Sequence, residues 1–283
     1  MKIILIGAGR IGSAVAFCLA KAGHDLTLVA RGARFEALNR DGAIFTVDGQ
    51  SVPVKVVSTF DPATPTDLAI VTVPEHQLAP LLPALVASRA TTILLMFNTF
   101  RGTDPYRTIV GAERFAFGFP NISAYLVDQR VRFRVDGPGM VMSMSNSNLA
   151  EFFKEAAMPS KVEDDMDAFL RSHVALVVPI FLAALLTWQR ATQLTWSEAT
   201  QLNAAWTEGF DLVRSLGHSP SPRLLAMLLR LPSFVRTGLL WLMSRSRPVK
   251  DLGEFGPAET RALIDEMTKL AHGKTPRLLA LRP

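Results

Sequence analysis

An apolar run, Ile3-Ile4-Leu5-Ile6, passes directly into Gly7-Ala8-Gly9-Arg10-Ile11-Gly12, and a helical pattern continues through Ala22. Glycines at this spacing between a buried strand and a helix constrain the fold more than any other feature of the chain. Gly7 permits the tight turn, Gly9 lets a pyrophosphate approach the backbone, and Gly12 lets helix and strand pack closely. The free N–H groups and the dipole of the helix N-terminus favour an anion there. A second strand, Asp25 to Ala30, follows the turn at Gly23-His24 and completes the first half of a dinucleotide-binding unit. Gly7, Ala8, Gly9, Arg10, Ile11 and Gly12 are therefore expected to bind cofactor.

The end of the second strand selects between nucleotides, because an acidic residue there suits a ribose 2′-hydroxyl and a basic one suits a 2′-phosphate. The chain has Ala30-Arg31-Gly32-Ala33-Arg34 at this place. Arg31, helped by Arg34, offers planar donors and positive charge, which points to NADP(H). The competing reading makes both arginines solvated residues at the start of a helix, Arg34 to Arg40.

The remaining pattern is that of an α/β domain followed by a helical one. Gly42 to Val47 and Val52 to Val57 read as a hairpin turning near Asp48-Gly49. Leu68 to Val73 and Thr92 to Met96 read as buried parallel strands, separated by a helix from Gln77 to Ala87. Ligands bind beyond the carboxyl ends of such strands, so Val73, Gln77 and the turn Phe97 to Gly102, with Asn98, are expected to border the nicotinamide. Short strands follow to about Met144. The Arg130-Val131-Arg132-Phe133-Arg134 alternation has the period of a strand whose arginines share a solvent face. From about Asp164 the pattern becomes helical, with candidate helices Asp165 to Gln189, Ser197 to Leu216, Arg223 to Met243 and Pro257 to Ala271. The expected division is 1–163 for a Rossmann domain and 164–283 for an all-helical substrate and dimerisation domain, with the cleft between them as the reaction site.

The 283 residues are 49% hydrophobic and 19% charged, which suits two globular cores. A net charge of +5 accords with an anionic cofactor and substrate, and no nucleic-acid motif accompanies it. The single cysteine, Cys18, precludes an intrachain disulfide, and His24, His76, His218 and His272 form no metal-spaced pair. Neither a signal peptide nor a membrane span is expected: Val174 to Leu186 is short and holds Pro179, and Leu224 to Met243 is interrupted by Arg230, Pro232 and Arg236. The latter stretch, apolar and basic together, also suits a partner subunit or membrane surface. A cytoplasmic location follows as the expectation.

The glycine turn, Leu28-Val29-Ala30-Arg31-Gly32, Leu38-Asn39-Arg40-Asp41-Gly42, Val71-Thr72-Val73 and the Asn98 turn together resemble the ketopantoate reductase family over the length of the chain. The resemblance implies that Arg31 contacts the 2′-phosphate and that Asn98 lies by nicotinamide and substrate. It also implies a proton-donating Lys on the first long helix, with Asn residues four and eight positions later. Here His173, Val177 and Phe181 occupy those positions, and Pro74 replaces a family Lys while Gln77 matches a cofactor-contacting Gln.

His173 is expected to act as the general acid, since an imidazole titrating near neutrality suits protonation of a reduced carbonyl. A histidine satisfied within a buried helix is the alternative. Arg171, Asn121 and Glu259 are candidate substrate contacts, with the register of Arg247 to Glu259 too loose to assign the family's Ser and Glu. The function implied is NADP(H)-dependent reduction of a 2-oxo acid or related carbonyl, on a substrate more apolar than ketopantoate or differently oriented. A non-catalytic NADP(H)-binding sensor or scaffold is the second reading.

Overall fold

The computed structural model describes residues 1–137, 139–246, 249–250 and 252–283, with the side chains of Arg223 and Phe255 outside the description. The chain divides into two compact units. One holds Met1–Phe97 and Thr103–Met166, and the other holds Asn98–Gly102 and Asp167–Pro283.

The first unit runs β1 (Lys2–Ile6), α1 (Arg10–Lys21), β2 (Asp25–Val29), α2 (Gly32–Asp41), β3 (Ala43–Phe45), β4 (Ser51–Pro53), β5 (Lys55–Val57) and β6 (Thr66–Val71). It continues with α3 (Leu82–Ala87), β7 (Ala90–Leu95), α4 (Asp104–Val110), β8 (Phe115–Phe119), β9 (Ser123–Val127), β10 (Arg130–Arg134), β11 (Met142–Met144), α5 (Ser147–Glu155) and β12 (Ser160–Val162). The main sheet has the order β12-β11-β8-β7-β6-β1-β2-β5. From β5 to β8 every neighbour is parallel, and β11 lies antiparallel to β8. This is the doubly wound Rossmann arrangement, whose strand order reverses between β1 and β6 and opens a crevice there. Leu5, Leu28, Ile70 and Leu94 are fully buried along these central strands, as a sheet covered on both faces requires.

Three expectations change. The stretch Val52 to Val57 is not one strand: β4 pairs with β3, and after Pro53 the chain leaves that hairpin and joins the main sheet beside β2. Proline cannot donate to a continued ladder, so the switch falls there. The expected helix Gln77 to Ala87 is two tight turns, Glu75–Gln77 and Ala79–Leu81, followed by the six residues of α3. Pro80 and Pro83 each withhold a backbone donor and shorten the helical run. The helix expected from Arg34 begins earlier, at Gly32, and closes on Gly42 in the left-handed conformation, φ +62°. The three arginines of β10 do share an exposed face, with Val131 buried on the other. Of the expected turn Asp136 to Gly139, Pro138 lies outside the described residues.

The second unit comprises α6 (Met166–Arg190), α7 (Trp196–Ser215), α8 (Arg223–Leu228), α9 (Ser233–Met243), α10 (Ala258–Leu270) and α11 (Pro276–Ala280). Its core contains Phe100, Val174, Trp206, Phe210 and Ile264, all essentially inaccessible. The single helix expected from Arg223 to Met243 is two, because Pro232 fixes its own backbone and disfavours helical geometry at Leu231. Conversely, Pro179 does not interrupt α6, which runs 25 residues and is by length and composition able to cross a bilayer. Of its most apolar window, 61% is buried within the protein.

Candidate functional site

In the first unit the glycine turn is built by exclusion. Gly7 sits at φ +114°, where an added Cβ would also meet Thr72 Oγ1 at 2.9 Å. A Cβ on Gly12 would lie 1.8 Å from the carbonyl oxygen of Gly7, so the third glycine is dictated by contact between α1 and the turn. Gly9 differs, since a Cβ there would face open space. That space belongs to a cavity of about 660 Å³ bordered by Gly7, Ala8 and Gly9, by Arg31 and Ser58 to Phe60 at the ends of β2 and β5, and by Val73 and Gln77 beyond β6. Arg10, Ile11 and Gly12 form the first turn of α1 behind it.

The cavity accepts a dinucleotide on three counts. Its glycine turn leaves room at Gly9, the N-terminus of α1 has no side-chain cap, and no carboxylate stands among its described lining residues. Arg31 is exposed at the start of α2, on the rim. Arg34 is placed differently from the expectation that it helps Arg31: its Nε donates to the Ala8 carbonyl at 3.1 Å and its Nη2 to the Ser13 hydroxyl at 2.9 Å. Its Nη1 donates to the Gln129 carbonyl at the tip of the β9–β10 hairpin. Desolvation lowers its pKa, against an opposing pull from Asp41. Thr72 and Gln129, which border the cavity, and Ser13, which bonds to Arg34, were not singled out by the sequence reading. Asn121 is tied to the backbone, its Nδ2 donating to the Val141 carbonyl at 2.8 Å.

In the second unit, residues 98–102 form a polar turn laid on the helices. Asn98 Nδ2 donates to Glu259 Oε1 at 2.8 Å, bringing together two sequence candidates 161 positions apart. Asn98 Oδ1 is buried and has no hydrogen-bond partner. Arg101 pairs with the buried Glu266. Arg171 donates to the Arg101 carbonyl at 2.8 Å, to Asp167 Oδ2 at 3.1 Å and, through Nη1, contacts His218 Nε2 at 2.7 Å. Only 12% of its side chain is accessible. Arg171 is thus a brace beneath the turn, and the expectation that it receives a substrate carboxylate gives way to that role. Arg247, Pro248 and Asp251, part of the loosely registered stretch, lie outside the described residues.

His173 stacks on Phe169 with ring centroids 6.1 Å apart. Burial lowers its pKa from 6.5 to about 4, so the imidazole is neutral at neutral pH. This corrects the expectation of a group titrating near neutrality. Val177 and Phe181 follow at helical spacing, partly accessible, and give α6 an apolar stripe beyond the imidazole. Cys18 is buried, its thiol pushed up to about 11 by desolvation, and no group of residues able to hold a metal occurs among the described residues.

The family model described as ketopantoate reductase PanE/ApbA matches residues 3–144 of the 283. The chain belongs to the ketopantoate reductase family. A 2-dehydropantoate 2-reductase of Mesorhizobium japonicum is 38% identical over 103 residues, which are 35% of this chain and 32% of that protein. Another, of Pyrococcus horikoshii, is 40% identical over 73 residues, 25% of this chain and 24% of that one. The chain is thus matched over about a third or less of the length of these relatives. Two solved structures share the fold: a PanE/ApbA family ketopantoate reductase from Ralstonia eutropha, and D-mandelate dehydrogenase in complex with NADH. The first gives a TM-score of 0.74 at 20% identity, covering 100% of this chain and 96% of the other. The second gives 0.76 at 14% identity, covering 99% and 96%. For this ketopantoate reductase family member the sequence match ends at β11, so Arg171, His173 and Glu259 lie beyond it.

Proposed function

We propose that the chain is an NADP(H)-dependent oxidoreductase that reduces a 2-oxo acid or related carbonyl. The observation that carries this is the cavity at the ends of β1, β2 and β6, with Arg31 on its rim and no carboxylate in its described lining. A 2′-phosphate needs such a donor and is repelled by an acid. When bound, the reduced nicotinamide would supply a hydride to the carbonyl carbon.

The chain's own residues then bind and orient the reactants, and the proton that the carbonyl oxygen takes up comes from solvent. The N–H groups at the start of α1 and the glycine turn receive the diphosphate, and Arg31 receives the 2′-phosphate. Asn98 is held by Glu259 and presents its buried, unpartnered Oδ1 as an acceptor for a substrate hydroxyl or amide hydrogen. His173, neutral at neutral pH, serves as a hydrogen-bond donor to the carbonyl oxygen rather than as a charged acid. Val177 and Phe181 offer no hydrogen bonds where the family resemblance implies Asn side chains. Each lost polar contact shifts preference by about 1 to 3 kcal/mol, favouring a substrate more apolar than ketopantoate. The D-mandelate dehydrogenase with the same fold makes aryl-substituted 2-oxo acids natural members of a test panel.

The test is a titration of NADPH and NADH followed by NADPH consumption across 2-oxo acids, from ketopantoate to phenylglyoxylate. Arg31→Ala should weaken NADPH at least tenfold while leaving NADH nearly unchanged, as loss of about 1.5 to 3 kcal/mol of charged hydrogen bonding predicts. Equal losses would remove the NADP(H) preference. Tight NADPH binding without turnover on any carbonyl would favour a sensor over an enzyme.

A further inference from the structure

Arg34 joins three places distant in sequence: the Ala8 carbonyl in the glycine turn, the Ser13 hydroxyl on α1 and the Gln129 carbonyl at the hairpin tip. Ser13 in turn donates to the same Ala8 carbonyl at 3.0 Å, so guanidinium, hydroxyl and carbonyl close a ring. A peptide unit is planar and trans, and its C=O and N–H point in opposite directions. Drawing the Ala8 carbonyl toward Arg34 and Ser13 therefore turns the Gly9 N–H the other way, out of the packed side. Thr72 does the same one residue earlier, donating to the Gly7 carbonyl at 2.9 Å and so orienting the Ala8 N–H.

The third contact acts on the cavity wall. Asp128 and Gln129 both have left-handed φ, +48° and +64°, a conformation that Asp tolerates better than Gln does. The bond from Arg34 to the Gln129 carbonyl holds this turn in place, and Gln129 and Leu126 of the hairpin border the dinucleotide cavity. All three guanidinium nitrogens are thus directed at protein oxygens, whereas Arg31 stands exposed on the rim.

We propose that Arg34 is a positioning residue for the dinucleotide diphosphate, acting through the Ala8–Gly9 peptide and the hairpin tip, and not a second ligand of the 2′-phosphate. This rests on the NADP(H) reading above.

Binding of NADPH and of NADH to wild type is measured first by calorimetry, and failure to bind either overturns the cofactor reading and this inference with it. Arg34→Met is then expected to weaken both nucleotides by the same factor, about thirtyfold, leaving their ratio unchanged. Millimolar guanidinium added to Arg34→Met should restore part of the affinity, which a general loss of stability would not allow. Hydrogen exchange without nucleotide should accelerate at residues 7–13 and 127–130. Ser13→Ala, which breaks the same ring while keeping the cation, should weaken both nucleotides in parallel by a smaller factor and serves if Arg34→Met does not fold. Loss of NADPH affinity with NADH unchanged would make Arg34 a phosphate ligand and overturn the proposal, as would unchanged affinity for both.

Discussion

Gly9 and Gly12 stand three residues apart and carry opposite demands. Gly12→Ala would drive a methyl to 1.8 Å from the Gly7 oxygen, so α1 must move off the turn. The expected cost is about 1 to 3 kcal/mol of stability, with dinucleotide binding lost as well. Gly9→Ala meets nothing within 4 Å and should leave thermal unfolding unchanged while abolishing binding, because the methyl occupies ligand space. Thermal scans paired with NADPH titration separate the two, and a Gly9→Ala protein that binds normally would move the diphosphate elsewhere. At His173 the prediction is one of pH. The native pKa of about 4 lies below the ordinary 6.5, so between these values the unfolded chain binds more protons than the native one. Stability from this group is complete above pH 6.5 and is lost as pH falls toward 4. His173→Gln should flatten that decline in the melting temperature, and an unaltered slope would show the imidazole to be solvated. At this scale the glycine turn was legible because its spacing is local. Ser13, Thr72 and Gln129 were not, since a polar residue gains its role from partners up to 95 positions away, as the Arg34–Gln129 bond does.

Elements were read well where one periodicity ran between clear stops and poorly where proline intervened. The strands β1, β2, β6 and β7 announce themselves as apolar runs. The break between α8 and α9 was hidden because apolar residues continue on both sides of Pro232, leaving composition unable to report a lost backbone donor. Pro179, by contrast, does not break α6, in keeping with the single helix expected from Asp165 to Gln189. The burial of Val174, Val178 and Leu182 around it offsets one missing hydrogen bond, and α6 continues. The start of α7 is better determined than its sequence periodicity requires. Thr195 accepts from the Glu198 N–H at 3.2 Å, and Glu198 Oε2 accepts from the Thr195 N–H at 2.8 Å. Arg190 Nη1 adds a donor to Glu198 at 2.6 Å, and these bonds hold its carboxyl down at about 2. Thr195→Ala should therefore destabilise the helical unit by about 1 kcal/mol in chemical denaturation, and Thr195→Ser by much less. Equal effects of the two would mean that the hydroxyl does not cap this helix.

At the scale of the molecule, the chain crosses between its two units more often than a single change of periodicity implies. Residues 98–102 interrupt the Rossmann sequence, yet they group with the helices, and Phe100 is completely buried in the helical core. The Arg101–Glu266 and Arg171–Arg101 contacts fasten the same turn to α10 and α6. A reader of periodicity places this segment at the end of β7, where its position in the chain suggests it belongs, because nothing in five residues reveals which core will receive one phenylalanine. The arrangement predicts that one substitution destabilises the full chain and leaves the isolated Rossmann segment unaffected. In the full chain Phe100→Ala should destabilise the helical unit by about 3 to 5 kcal/mol, the cost of emptying a buried aromatic site. In a fragment spanning 1–166 the helical core is missing and Phe100 has no burial to lose, so the same substitution should leave its stability unchanged and improve its recovery in soluble form. Denaturant titration of both proteins decides the matter. A fragment destabilised as strongly as the full chain would assign Phe100 to the Rossmann core and dissolve the claim that the Asn98 turn is a part of the helical unit.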